Sequence, residues 1–175
     1  MAFKIILLGY MGSGKSTVSK ELAKKLQVSS IDLDDEIENF EKSTIPQIFD
    51  SKGAIYFRKL EKTVLDKIIE RDDSFVLSLG GGTPCYFNNM KFLNNREEVL
   101  TIYLDVNIST LIKRLKDEVE HRPILNNINS AQELTEFIGK HLFERRPFYN
   151  QAKERIQIVD ESTEQIIEKI IPLLF

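Results

Sequence analysis

The chain has 175 residues, of which 42% are hydrophobic and 29% charged, and its net charge at pH 7 is −3, from 24 basic and 27 acidic side chains. This length and composition are typical of one globular domain spanning residues 1–175. The charge balance argues against nucleic-acid binding, and no apolar run approaches the roughly 20 residues that cross a bilayer. The single cysteine, Cys85, excludes an internal disulfide and favours a cytoplasmic location. We expect a monomer.

Short β-rich runs alternate with longer amphipathic runs along the chain. The predicted strands are residues 3–8, 28–31, 74–79, 99–104 and 155–159. The predicted helices are residues 15–26, 33–40, 45–50, 53–70, 88–93, 108–116, 131–152 and 163–173. This alternation predicts an α/β fold in which helices cover both faces of a parallel sheet.

The first predicted strand is followed by the loop Gly9-Tyr10-Met11-Gly12-Ser13-Gly14-Lys15-Ser16, which fits the pattern G-x-x-x-x-G-K-[ST]. A strand, a glycine loop and a helix in this order predict a phosphate-binding loop for a nucleotide. We expect Lys15 to reach the β- and γ-phosphates and the Ser16 hydroxyl to bind Mg²⁺. The alternative is a glycine-rich turn without a ligand. The nucleotide-binding residues expected here are Gly12, Ser13, Gly14, Lys15, Ser16 and Thr17.

Two aspartates, Asp32 and Asp34, follow the second predicted strand. Alternate residues of an extended segment face the same side, so both carboxylates can point into one cleft. A phosphotransferase needs one carboxylate beside Mg²⁺ and one beside the acceptor hydroxyl. The alternative is a helix N-cap followed by acids in the first helical turn.

Two further patterns allow both a functional and a structural interpretation. Arg58 and Glu61 are i, i+3 neighbours on a predicted helix, where they form either a surface ion pair or a fixed guanidinium that grips a substrate carboxylate. Gly80-Gly81-Gly82 ends the third strand and either lets the backbone approach a ligand closely or forms a flexible turn.

Two stretches fit the alternation poorly, since residues 33–61 insert several short helices and residues 113–127 are highly charged. Insertions at the carboxyl edge of such a sheet build substrate pockets and lids, so we expect a substrate-binding insertion at 33–61 and a lid at about 113–127. Arg122 in the lid is either a solvated charge or a group that neutralises the transferring phosphoryl. Neither His121 nor His141 has a ligand partner at helical spacing, and we expect both at the surface.

Six motifs occur in an order that resembles the shikimate kinase family. They are G-x-x-G-x-G-K-S at 9–16, D-x-D at 32–34, F-R-x-x-E at 57–61, G-G-G at 80–82, R-P-x-L at 122–125 and R-x-P-x-Y at 145–149. The resemblance covers nearly the whole chain. It implies a nucleoside-monophosphate-kinase-like fold with a five-stranded parallel sheet in the order 2-3-1-4-5. It also implies transfer of the γ-phosphate of ATP to the 3-hydroxyl of shikimate, in aromatic amino-acid biosynthesis.

The resemblance also implies roles for individual residues. Asp32 would hold Mg²⁺ together with Ser16, and Asp34 would orient or deprotonate the acceptor hydroxyl. Arg58 and Arg145 would clamp the shikimate carboxylate. The remaining roles are ring contacts through the backbone for Gly80, Gly81 and Gly82, the lid arginine for Arg122, and adenine contact for Arg114.

Two other functions stay open at the level of the sequence. One is another small-molecule kinase of the same fold, such as a gluconate kinase or a nucleoside-monophosphate kinase, which the order of the six motifs disfavours. The other is a nucleotide-binding module without catalysis. Such a module would have a broken Lys15, Asp32 or Asp34, and all three are intact.

Overall fold

A computed structural model describes residues 2–119 and 122–174 and contains one five-stranded parallel sheet. The strand order is β2-β3-β1-β4-β5, as the family resemblance implied. The strands are β1 (Lys4–Leu8), β2 (Ser29–Asp32), β3 (Phe75–Ser78), β4 (Val99–Val106) and β5 (Glu154–Ile158). All five lie where the alternation of apolar and polar runs predicted them, with ends that differ by at most two residues.

Seven α-helices flank the sheet in the described part of the chain. They are α1 (Lys15–Leu26), α2 (Leu33–Glu41), α3 (Ile45–Ile69), α4 (Asn89–Asn94), α5 (Ile108–Leu115), α6 (Ala131–Tyr149) and α7 (Thr163–Ile170). The predicted break between helices 45–50 and 53–70 survives as an interruption inside α3 at Gly53, which has φ 81° and ψ 173°. A residue with a Cβ rarely adopts this backbone conformation, so glycine permits the kink.

The middle of the sheet is the most apolar part of the fold. Every residue of β1 is buried, because the strand lies between β3 and β4 and both of its faces are covered. In register, Ile6 lies opposite Leu77 of β3 and Thr101 of β4. Parallel strands end at the same edge, so the loops after β1, β2 and β3 converge at the crevice where such sheets bind ligands. In the described part of the chain, no helix combines the length and the apolar character needed to span a bilayer.

Candidate active site

A cleft of about 490 Å³ opens at the carboxyl edge of the sheet. Its walls come from the glycine loop after β1, the aspartates after β2 and the glycine segment after β3. Among the predicted site residues, those that line this cleft are Gly12, Ser13, Gly14, Lys15, Ser16, Thr17, Asp32, Asp34, Gly80, Gly81, Arg114 and Arg122. Gly82, Arg58 and Arg145 are not among its lining residues.

The glycine loop has the backbone shape of a phosphate cradle. Gly12 and Gly14 have φ values of 78° and 85°, in the left-handed region that glycine adopts without strain. Gly14 caps the start of α1, and its carbonyl accepts a hydrogen bond of 2.9 Å from the N–H of Val18. A Cβ on Gly12 would lie 3.0 Å from the Leu115 side chain, so the loop also packs closely against α5. The positive end of the α1 dipole therefore faces the cleft.

Lys15 is nearly buried and folded back onto its own loop. Its ammonium donates hydrogen bonds to the carbonyls of Gly9 (2.9 Å) and Tyr10 (3.0 Å) and to the hydroxyl of Ser13 (3.3 Å). Burial lowers the pKa of Lys15 from 10.5 to about 8, against the opposing influence of the nearby Asp34 carboxylate. The lysine is thus already held at the position where phosphates would enter.

Asp32 caps α2 and also contacts the phosphate loop. One carboxylate oxygen accepts a hydrogen bond of 3.0 Å from the N–H of Asp34 and caps α2. The other accepts a hydrogen bond of 2.6 Å from the Ser16 hydroxyl. This places a carboxylate and a hydroxyl, both hard oxygen ligands, side by side at the mouth of the phosphate loop.

The side chains of Ser16 and Asp32 suit a Mg²⁺ ion that takes its other ligands from water and phosphates. They do not suit a metal ion whose ligands all come from the protein. Within residues 2–119 and 122–174, no group of three or more His, Cys, Asp or Glu side chains could hold a metal ion. Mg²⁺ is usually held by one or two protein oxygens and completes its octahedral shell with water and substrate phosphates. The Ser16–Asp32 pair fits that requirement.

Asp34 is half-buried between acidic neighbours. Burial raises its pKa from 3.8 to about 6, and the negative charges of Asp32 and Glu61 add to the effect. Because Asp34 lies in the first turn of α2, its position follows from the cap that Asp32 provides. Its carboxylate is therefore a proton acceptor whose pKa lies close to neutral pH.

Arg58 is held by the buried carboxylate of Glu61, so the two residues do not form a surface ion pair. Its guanidinium donates to Glu61 at 2.8 Å, and the Glu61 side chain is 1% exposed. The second oxygen of Glu61 accepts a hydrogen bond of 2.7 Å from the Thr83 hydroxyl. Gly82 makes room for the guanidinium, since a Cβ there would lie 2.4 Å from Nη2 of Arg58. The surface ion pair that the sequence allowed for Arg58 is therefore excluded by the burial of Glu61.

The other two glycines border different groups. A Cβ on Gly80 would lie 3.1 Å from the Asp34 carboxylate and 3.4 Å from that of Glu61, so this glycine separates the two acids. The carbonyl of Gly81 accepts a hydrogen bond of 2.6 Å from the Tyr149 hydroxyl at the end of α6. The segment therefore forms a wall between the phosphate loop and Arg58 and is tied to α6 through Tyr149.

Arg145 lies on α6, four residues before Tyr149, whose hydroxyl contacts Gly81. Burial raises the pKa of the Cys85 thiol, and the positive charges of Arg145 and Arg58 act against that rise. Both positive charges therefore act on the same half-buried thiol. Among the salt bridges of the described residues, Arg58 pairs with Glu61 and Arg146 with Asp105, and none involves Arg145.

The other two arginines border the cleft from the side of α5. Arg114 donates a hydrogen bond of 3.0 Å to the carbonyl of Gly12. Arg122 is paired with Glu118 through contacts of 2.6 and 2.5 Å. Leu125, three residues later, is fully buried and fixes the end of this segment. His121 lies outside the described residues, so the prediction that it is at the surface concerns a residue that the structure does not describe.

The comparisons with known proteins agree with this geometry. A family model described as "Shikimate kinase" matches residues 11–174. The chain belongs to the shikimate kinase family. The shikimate kinase of Flavobacterium psychrophilum is 44% identical over 172 residues, which are 98% of this chain and 99% of that protein. The shikimate kinase of Phocaeicola vulgatus is 42% identical over 150 residues, which are 86% of this chain and 83% of that protein.

Solved structures of the family have the same fold. The crystal structure of shikimate kinase from Bacteroides thetaiotaomicron has a TM-score of 0.88 and 36% identity and covers 98% of both chains. The shikimate kinase from Acinetobacter baumannii, solved in complex with shikimate, has a TM-score of 0.84 and 31% identity over 99% of this chain and 93% of that one. The family resemblance drawn from the six motifs is thereby confirmed.

For one residue of this shikimate kinase family member, the exposure predicted from the sequence is wrong. His141 was predicted at the surface, but it is half-buried and its Nδ1 lies 2.8 Å from the Tyr10 hydroxyl. Burial lowers the pKa of His141 to about 4. The absence of a ligand partner at helical spacing carried no information on how His141 packs. The pair joins the phosphate loop to α6.

Three residues of the site were not predicted as part of it. Thr83 supports Glu61, Tyr149 anchors Gly81, and the Tyr86 ring centroid lies 4.2 Å from the Arg58 guanidinium carbon. Tyr149 had a signal, because it ends the R-x-P-x-Y motif. Thr83 and Tyr86 directly follow the glycine segment, and their partners lie more than 20 residues away on α3.

Proposed function

We propose that the protein transfers the γ-phosphate of ATP to the 3-hydroxyl of shikimate, giving shikimate 3-phosphate and ADP. The observation that carries the proposal is the Arg58 guanidinium, held by the buried Glu61 on the far side of the glycine segment from the phosphate loop. A fixed cation beside a carboxylate base suits a small acid that carries hydroxyl groups. Membership of the family supports shikimate over gluconate or a nucleoside monophosphate.

In this proposal the nucleotide is held by the phosphate loop and α1. Backbone N–H groups of Gly12 to Thr17 and the α1 dipole would bind the phosphates, and Lys15 would exchange its loop carbonyls for phosphate oxygens. Arg114, at the edge of the loop, would contact the adenine. Ser16 and Asp32 would hold Mg²⁺, which supplies charge neutralisation on the phosphates when bound.

The acceptor would lie between Asp34 and the two arginines. Arg58 and Arg145 would bind the substrate carboxylate, and the wall of Gly80, Gly81 and Gly82 would contact its ring. This orientation leaves a hydroxyl near Asp34, whose raised pKa lets it accept a proton at neutral pH. Phosphoryl transfer then depends mainly on positioning, with no covalent enzyme intermediate.

We also propose that residues 33–61 form the acceptor-binding insertion of one domain and residues 113–127 its lid. Arg122 would leave Glu118 and approach the transferring phosphoryl when the lid closes. The Arg122–Glu118 pair supports this role. It holds the Arg122 guanidinium at the border of the cleft when no phosphate is bound.

An assay of ADP release, coupled to a reporter enzyme, tests the proposal directly. Shikimate, gluconate and AMP are offered in parallel at equal concentration, and only shikimate is expected to release ADP above background. The methyl ester of shikimate lacks the negative charge and is the matched control for the carboxylate clamp. Loss of a charge-assisted bidentate contact worth about 1.5–3 kcal/mol should raise its KM about ten- to a hundredfold. Faster turnover of gluconate or AMP, or equal KM values for acid and ester, would contradict it.

A further inference from the structure

We propose that Tyr86 is a positioning residue that fixes the plane of the Arg58 guanidinium through the face of its ring. The inference rests on the proposed function, in which Arg58 binds the substrate carboxylate. It adds a residue outside the six motifs to the determinants of acid recognition.

The geometry of the contact is that of a cation–π interaction. The Arg58 guanidinium carbon lies 4.2 Å from the centroid of the Tyr86 ring, within the roughly 6 Å over which such contacts attract. The Arg58 side chain is 19% exposed, so the contact is partly shielded from water. In the described part of the chain the Tyr86 hydroxyl has no hydrogen-bond partner, and the residue is 42% exposed. The face of the ring, and not the hydroxyl, is therefore the feature in use.

The backbone around Tyr86 is held firmly enough for the ring to act as a support. The preceding turn, Thr83–Cys85, is closed by a hydrogen bond of 3.0 Å from the N–H of Cys85 to the carbonyl of Gly82. The carbonyl of Tyr86 accepts a hydrogen bond of 3.0 Å from the N–H of Asn89 at the start of α4. The side chain of Asn89 is buried and donates to the carbonyl of Thr83 at 2.9 Å. These bonds tie both sides of Tyr86 to one rigid turn.

Two aromatic rings lie near the Arg58 guanidinium carbon, Phe57 with its centroid at 5.1 Å and Tyr86 at 4.2 Å, so Tyr86 is the closer support. The ion pair with Glu61 fixes only one end of the guanidinium. Glu61 accepts a hydrogen bond from Nη1 alone, which leaves rotation about that bond. Gly82 leaves space beside Nη2 but offers no attraction. A ring against the guanidinium restricts this rotation, and a guanidinium held in one plane can meet a carboxylate with two parallel hydrogen bonds.

The test is a kinetic comparison of Tyr86→Leu, Tyr86→Phe, Arg58→Ala and the double variant Tyr86→Leu/Arg58→Ala. An exposed or half-desolvated cation–π contact corresponds to about a two- to tenfold change in affinity. We expect Tyr86→Leu to raise the KM for shikimate by about that factor, with kcat and the KM for ATP within twofold of the wild type. The clamp binds substrate and transition state alike, so its loss raises KM and spares kcat. Tyr86→Phe keeps the ring face and should match the wild type.

The double variant shows whether Tyr86 acts through Arg58. We expect it to have the same KM for shikimate as Arg58→Ala alone, because the ring then has no guanidinium to support. The proposal is overturned if Tyr86→Leu leaves that KM unchanged, if Tyr86→Phe raises it as much as Tyr86→Leu, or if the two substitutions add independently. If Arg58→Ala itself leaves the KM for shikimate unchanged, the proposed carboxylate clamp fails, and the positioning role fails with it. Melting temperatures within a few degrees of the wild type confirm that each variant is folded.

Discussion

Replacing Asp34 with asparagine should stabilise the fold while it abolishes most of the activity. Asparagine keeps the shape of the side chain but carries no charge, so it mimics the protonated acid. Burial, Asp32 and Glu61 raise the pKa of Asp34 to about 6, whereas the unfolded chain has the ordinary value of 3.8. The ionised carboxylate is therefore less stable in the folded protein than in the unfolded chain.

The size and sign of the effect follow from proton linkage. The folded state binds the Asp34 proton more tightly, so the stability that this group provides is present below about pH 4 and is lost as the pH rises through about 6. The separation of the two pKa values, at about 1.4 kcal/mol per pH unit, corresponds to about 3 kcal/mol. Asp34→Asn should raise the free energy of unfolding by about 3 kcal/mol at pH 8 and by about 1.5 kcal/mol at pH 5.

Urea unfolding followed by circular dichroism at the two pH values measures this difference. Asp35→Asn is the matched control, because Asp35 is the exposed neighbour on the same helical turn, and its change should stay within about 0.5 kcal/mol at both values. The kcat of Asp34→Asn should fall by orders of magnitude, since the acceptor proton loses its base, while ATP still binds. An unchanged stability, or an equal gain at pH 5 and pH 8, would refute the electrostatic argument.

Three further predictions concern the phosphate loop and the arginines. Gly82→Ala places a Cβ against the Arg58 guanidinium and should raise the KM for shikimate about ten- to a hundredfold with kcat largely retained. The control is Gly139→Ala, where a Cβ meets nothing within 4 Å. Equal KM values for the two variants would contradict the steric argument. Lys15→Ala should lower kcat by orders of magnitude in a protein with an unchanged circular dichroism spectrum, and full activity would exclude a catalytic phosphate loop. Arg122→Ala should lower kcat more than it raises the KM for shikimate in steady-state assays, because the lid arginine acts in the closed state; the reverse pattern would return Arg122 to a solvated charge.

The sequence predicted the elements of the fold well because their signals are local. The buried strands are short apolar runs, and the interruption of α3 is marked by a single glycine, Gly53. The strand order came only with the family resemblance, since alternation of strands and helices does not specify which strands are neighbours. The pairing of β2 with β3, and of β1 with both β3 and β4, is a property of the whole topology.

The sequence predicts contacts within the candidate site where the partners are close along the chain. It does not predict contacts between residues that are far apart along the chain. The link between Arg58 and Glu61 follows from helical geometry, and the sequence posed it as one of two alternatives. The contact of Tyr10 with His141 joins residues 131 positions apart, and nothing in the neighbourhood of either residue indicates the other. The burial of Glu61 excludes a surface ion pair with Arg58, and the burial of a charged residue depends on tertiary packing that the local sequence does not reveal.

The hydrogen bonds of Lys15 make nucleotide binding an exchange and not an addition. An ammonium has three hydrogens, and here all three have acceptors in the protein, two carbonyls and one hydroxyl. The free energy that an incoming ligand gains from Lys15 is only the difference between two sets of hydrogen bonds. One set joins the ammonium to the oxygens of the ligand, and the other joins it to the neutral oxygens of the protein. That difference is favourable for an oxygen with a full negative charge and close to zero for an uncharged one. The loop therefore discriminates against neutral molecules by competition for the lysine, before any contact with the base or the sugar is made.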